Sequence, residues 1–110
     1  MKSPRLILAR LILPMSSLSI GVLSTAALSN TPARSGDQIH QTYCAVCHAT
    51  GWNGAPVTGI KDDWQSRVAA GVDAMLRNVK QGLNTMPPMG TCMDCSDAEL
   101  RAAIEEMMKF

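Results

Sequence analysis

The sequence predicts an all-α domain of about four short helices, and three observations carry that expectation. No stretch alternates apolar and polar residues with the period of two that a half-buried strand requires. At the C-terminal end, Ser96-Asp97-Ala98-Glu99 is a capping box, and Leu100, Ala103, Ile104, Met107 and Met108 follow it at i, i+3, i+4, i+7 and i+8. Earlier, Cys44-Ala45-Val46-Cys47-His48 sets two thiols and an imidazole at i, i+3 and i+4, which a helical turn gathers on one face.

Before any of these comes a segment of another kind. Lys2, Arg5 and Arg10 lead into an apolar stretch from Leu11 to Leu28, followed by the polar run Ser29 to Gly36. A basic start, an apolar middle and the small residues Ser24-Thr25-Ala26-Ala27 are the marks of a secretory signal. Ala26, Ala27 and Ala33 are each candidates for the last residue removed. An uncleaved membrane anchor is the rival reading; the stretch is near the minimum for a span, and Pro14 and Gly21 weaken it. Residues 1–33 are therefore expected to be a cleavable signal peptide with a short linker, and residues 34–110 the working domain.

Three of the ten Lys+Arg and none of the nine Asp+Glu fall in the leader, so the net charge from Leu28 onward is −2. That balance argues against a nucleic-acid partner, which needs a basic face. It suits a protein partner with a complementary positive patch. A mature chain of roughly 75–80 residues buries a limited core and usually needs a staple. With one Phe and one Tyr, this one has little aromatic packing to offer.

Taken in order, Ser35-Gly36-Asp37 can start the first helix, with Ser35 or Asp37 as its cap. Ile39, Tyr43 and Val46 then form one apolar face running into the cysteine motif. His40, beside Ile39, reads as a solvated or edge histidine. Thr50 to Ile60 holds Gly51, Gly54, Pro56 and Gly59 and is a loop, with Ala55 and Val57 able to lie over a ligand edge. Asp62 is the expected cap of a second helix that has Trp64, Val68 and Arg67 near one face and ends at Gly71. Asp73 starts a third helix through Leu76, Val79 and Lys80 to Gly82. From Leu83 to Cys95, Pro87 and Pro88 prevent a helix. The capping box opens the last.

C-x-x-C-H is the attachment site of a c-type haem. Cys44 and Cys47 add to the haem vinyl groups as thioethers, and His48 takes one axial position on the iron. A zinc knuckle or a redox dithiol would need the cysteines but not the adjacent histidine. A buried haem would also supply the apolar centre that the composition lacks. Pro56 can accept a bond from the second nitrogen of His48, as an outer partner of a ligating histidine usually does. Opposite it, a methionine sulfur is the standard cytochrome c arrangement. Met75, Met107 and Met108 sit on predicted helices, where packing explains them, and Met93 lies between two cysteines. Met86 is the favoured ligand because Pro87-Pro88 stiffens its loop, with Met89 second. For Cys92-Met93-Asp94-Cys95, a four-thiolate zinc site with Cys44 and Cys47 and a redox dithiol both compete with a structural disulfide. The disulfide is preferred, because zinc leaves His48 idle and no βαβ pattern accompanies the dithiol.

These residues together support a resemblance. From about Gly36 to Phe110 the chain resembles the cytochrome c5 type of bacterial class I cytochromes c. The likeness rests on Tyr43 to Ala49, Gly54-Ala55-Pro56, Trp64, Arg67, Met86-Pro87-Pro88-Met89-Gly90 and Cys92-Met93-Asp94-Cys95-Ser96-Asp97. It implies a small class I cytochrome c fold, short helices wrapped around one covalent haem c, with His48 and Met86 on the iron and Cys92 joined to Cys95. It further implies that Pro56 orients His48, that Trp64 borders the haem and can bond a propionate, and that Arg67 can do the same. Met89 departs from the family, which commonly shows a lysine there.

The expected function is a one-electron carrier of the bacterial periplasm. Its expected partners are membrane respiratory complexes, terminal oxidases or reductases, and membrane association would come only through an uncleaved N-terminal anchor. No nucleophile–base or acid–base pair marks the mature chain as an enzyme. The alternatives are a haem subunit bound permanently to a periplasmic dehydrogenase or oxidase, a ligand-binding sensor in which the Met86 bond opens, and a zinc module.

Overall fold

Gly36 has no side chain because the last helix leaves no room for one: a Cβ there would run into the backbone carbonyl of Ala102. This crossing of the first and last helices is the keystone of a computed structural model that describes residues 32–110, with Ile12 and Gly21 described in isolation. The leader and its cleavage point lie outside the described residues. Among the described residues, no helix is long and apolar enough to cross a membrane.

Ser35 caps α1 (Gly36–Ile39) through a capping box with Gln38. The chain continues without a break into a π-helical segment (His40–Cys44) and then α2 (Ala45–His48). The π-turn corrects the expected apolar face. Ile39 is fully buried and Tyr43 packs on the core, but Val46 is 80 % exposed. An extra residue in the turn rotates all that follows by roughly 100°, one residue's share of a 3.6-residue turn.

After a 3₁₀ turn (Trp52–Gly54) and the Pro56 loop comes α3 (Lys61–Ala70). Its N-cap is Ile60, with no side-chain cap; Asp62 lies one residue inside the helix, where its carboxylate accepts from Gln65 instead. Trp64 is buried, whereas Val68 is about half exposed, so the expected face narrows to one side chain. Gly71 separates α3 from α4 (Val72–Gln81), and Gly82 ends α4. At φ +80°, Gly82 stands where a Cβ would press on the Met86 carbonyl at 2.8 Å, so only glycine lets the chain turn back here.

The next stretch has one short 3₁₀ turn (Pro88–Thr91) and an isolated bridge between Leu83 and Met86; no strand occurs among the described residues. Helix α5 (Asp97–Met107) begins at the Ser96–Glu99 capping box. It buries Leu100, Ala103, Ile104 and Met107 against Ile39, Trp64, Met75, Leu76, Cys92 and Cys95. The fold is all-α, as its periodicity predicts.

Candidate functional site

Cys44 ends the π segment, and Cys47 and His48 close α2. Both thiols are half-buried and unpaired, whereas Cys92 and Cys95 are joined in a disulfide. The Cys92–Cys95 pair and Asp94 are the one cluster of metal-ligand types among the described residues, and the disulfide leaves its sulfurs without thiolate character. Burial pushes the Cys44 thiol up to about 11, so it is the neutral thiol at pH 7.

His48 is buried, and its ring has one committed nitrogen. Nδ1–H donates to the Pro56 carbonyl at 2.8 Å, while Nε2 makes no hydrogen bond to a described residue. Burial pushes its pKa down, with the Pro56 carbonyl acting in the opposite sense; the neutral imidazole is the form that binds metals. Trp64 stacks on the imidazole with ring centroids 6.0 Å apart and planes at 28°.

Trp64 therefore borders the histidine, but its single N–H is already used. Nε1 donates to the Val57 carbonyl at 2.8 Å. Arg67 is exposed, and its Nη1 bonds the Asp63 carbonyl one turn back at 2.6 Å. It also borders a shallow cleft of about 400 Å³ lined by Gly54, Ala55, Pro56, Val57 and Asp63.

The loop carrying Met86 is held by a reciprocal backbone pair, Met86 N–H to Leu83 O at 2.9 Å and Leu83 N–H to Met86 O at 3.1 Å. The turn after it, Pro88–Thr91, packs against both α4 and the π segment that ends at Cys44. Met86 is half-buried and outside the core, whereas Met89, at φ +61°, packs against that core.

Residues around this site that the motif reading passed over are Asp63 and Thr58. Asp63 Oδ2 accepts from Val57 N–H at 2.9 Å, and Thr58 N–H donates to the His48 carbonyl at 2.8 Å. His40 is tied to the same place, Nε2 to Thr58 Oγ1 at 2.9 Å. An acidic residue in a first helical turn usually signals only the helix dipole, so Asp63 carried no distinguishing mark.

Two free thiols, an imidazole with its Nδ1 engaged, and a sulfur on a pinned loop are a donor set that fits a covalently held haem. Comparison with known proteins agrees. Residues 31–105 match the family model described as cytochrome C oxidase, cbb3-type, subunit III. A cytochrome c5 of Azotobacter vinelandii is 51 % identical over 77 residues, 68 % of this chain and 93 % of its own length. That of Ectopseudomonas mendocina is 45 % identical over 84 residues, 74 % of this chain and 97 % of its own. The chain belongs to the cytochrome c5 family.

Solved structures place this cytochrome c among the same proteins. A mono-haem ferrocytochrome c from Shewanella putrefaciens superposes with TM-score 0.65 at 45 % identity, over 71 % of this chain and 96 % of that one. A chain of the crystal structure of an electron transfer complex of nitrite reductase with cytochrome c gives TM-score 0.64 at 41 % identity, over 66 % and 89 %. As a cytochrome c it carries one covalently attached haem c and is an electron-carrying protein.

Proposed function

We propose that this protein is a diffusible one-electron carrier of the bacterial periplasm, with haem c attached through Cys44 and Cys47 and its iron held between His48 and Met86. The observation that carries the reading is the His48 ring, whose Nδ1–H is engaged by Pro56 while Nε2 is left for the iron. Bound haem supplies the Fe(III)/Fe(II) couple. Cys44 and Cys47 anchor it, and Pro56 fixes the tautomer of His48. Met86 is preferred to Met89 because Pro87-Pro88 stiffens its loop and the reciprocal backbone pair with Leu83 holds it. With His48 and Met86 as the residues that would hold the iron, the chain would leave it no position for a substrate, which supports a carrier rather than an enzyme.

A reductase is the kind of partner this reading favours, by analogy with the nitrite reductase complex of the structural neighbour. The −2 charge from Leu28 onward suits a basic docking face. The oxidase-subunit description of the matching family model supports a second reading, a subunit held permanently in a complex. Coverage of 93 % and 97 % of the small cytochrome c5 relatives favours the free carrier.

The test is the spectrum and size of protein matured with haem-attachment machinery and exported through its own leader. The expected product is a shortened chain with haem that acid extraction does not remove. The oxidised form should show the weak long-wavelength band of sulfur–iron ligation. Met86→Ala should abolish that band and Met89→Ala should leave it; the reverse result would transfer the ligand to Met89. Haem that extracts freely would end the reading, and co-purification with a stoichiometric partner would replace it by the second.

A further inference from the structure

The loop that orients His48 is itself held from the other side, and by one helix. Pro56 C=O and Val57 N–H belong to a single planar peptide unit, so one cannot rotate without the other. His48 Nδ1–H donates to that carbonyl at 2.8 Å, and the N–H of the same unit donates to Asp63 Oδ2 at 2.9 Å. The next peptide unit repeats the arrangement. Thr58 N–H donates to the His48 carbonyl at 2.8 Å, and Val57 C=O accepts from Trp64 Nε1 at 2.8 Å. Two consecutive peptide planes thus bridge His48 to the first turn of α3, and each has one hydrogen bond at either edge.

We propose that Asp63 is a positioning residue that tunes the iron ligand: its carboxylate, acting through the Pro56–Val57 peptide, strengthens the hydrogen bond at His48 Nδ1. The physical basis is polarisation along a chain of hydrogen bonds. A carboxylate accepting from the peptide N–H draws the amide toward its charge-separated resonance form and places more negative charge on the Pro56 oxygen. That oxygen then pulls harder on the imidazole N–H, and the ring becomes a more electron-rich ligand. An electron-rich ligand favours Fe(III) over Fe(II). A direct carboxylate–histidine contact would do this more strongly; the intervening peptide makes the effect graded. The inference rests on His48 being the iron ligand.

The experiment compares haem-loaded wild type with Asp63→Asn, Asp63→Ala and, as a control, Asp62→Asn. Asp62 is the neighbouring carboxylate of the same helical turn, hydrogen-bonded only to Gln65. Two quantities are measured: the reduction potential, and the proton resonance and exchange rate of His48 Nδ1–H in the diamagnetic reduced protein. Asp63→Ala should shift the one-electron equilibrium about threefold toward Fe(II), roughly 30 mV upward at 59 mV per tenfold. It should move the Nδ1–H resonance upfield and speed its exchange about tenfold, the share of one hydrogen bond. Asp63→Asn, which preserves shape and an acceptor oxygen, should move both in the same direction by less, and it serves if the alanine variant does not mature.

Equal potential shifts in Asp63→Asn and Asp62→Asn with Nδ1–H unmoved would overturn the proposal, because that pattern is charge acting through space. Unchanged potential and unchanged Nδ1–H would overturn it as well. Failure of the functional reading itself would appear earlier, as wild-type protein without covalent haem.

Discussion

Arg34 and Glu99 are 65 positions apart and form the most heavily bonded polar pair of the domain. The guanidinium Nε donates to Glu99 Oε1 at 2.9 Å and Nη2 to Oε2 at 3.1 Å, a fork that suits a carboxylate. The backbone N–H groups of Arg34 and Ser96 add bonds at 3.0 and 2.9 Å. Arg34 also reaches Asp94 at 3.3 Å, inside the disulfide loop. Its guanidinium, with the Ser96 and Arg34 N–H groups behind it, holds the Glu99 carboxyl well below the usual carboxylate range. A carboxyl with a depressed folded-state pKa contributes stability above its unfolded value, near 4.3, and loses it as pH falls toward the folded value. We expect the urea midpoint of the wild type to fall between about pH 5 and pH 2, and that of Glu99→Gln to be lower at neutral pH and flatter across this window. Nothing in the run Ser29 to Gly36 distinguishes Arg34 as this partner, because Glu99 reads fully as the third residue of a capping box. Only the folded chain shows that the same carboxylate serves both.

Among elements, the α1–α5 crossing depends on an absent side chain. Gly36→Ala would drive a methyl group into the Ala102 carbonyl, and we expect it to destabilise the domain by about 2 kcal/mol, the usual cost of overpacking. Denaturant unfolding of the holoprotein measures it directly; a change below about 0.5 kcal/mol would show that the helices separate freely. Helix ends were legible where local chemistry decides them. Ser35, Gly71, Gly82 and Ser96 all stand at the boundaries where capping rules put them. Asp62 was misleading because it and Asp63 stand side by side inside the first turn of α3, and Asp63 is drawn to Val57 N–H rather than to the helix. Val46 was misleading because the π-turn leaves no sequence signature. The turn lies between α1, which packs on α5, and Cys44 at its own end, and hydropathy records neither relation.

At the scale of the molecule, a core of ten buried apolar residues supports the domain spanning 32–110. It includes one tryptophan and no phenylalanine, and Ile60, Val68 and Leu83 remain about half exposed. Small domains with so little apolar burial usually need a covalent or cofactor staple. The Cys92–Cys95 disulfide closes a short loop and contributes only about 2 kcal/mol by loop entropy. With so small a core, we expect haem to be the larger contribution. A Cys44→Ala, Cys47→Ala double variant should therefore keep part of its far-ultraviolet helix signal while losing a cooperative near-ultraviolet melting transition. Retention of a sharp transition without haem would show that the ten-residue core suffices.

By itself the sequence determined what depends on short spacing: the C-x-x-C-H motif, the helix caps and glycine stops, the apolar stripe of α5, and the family that these together indicate. Each is a matter of residues within about one or two turns of one another, where backbone geometry leaves few choices. The tertiary structure alone decided the relations between distant segments. It bonded Trp64 to the Val57 carbonyl, paired Arg34 with Glu99, packed Met89 against the core, and put Asp63 behind the peptide that holds His48. These outcomes depend on how the Pro56 loop meets α3 and how α1 meets α5. Side chains with several available partners bond whichever one the fold delivers.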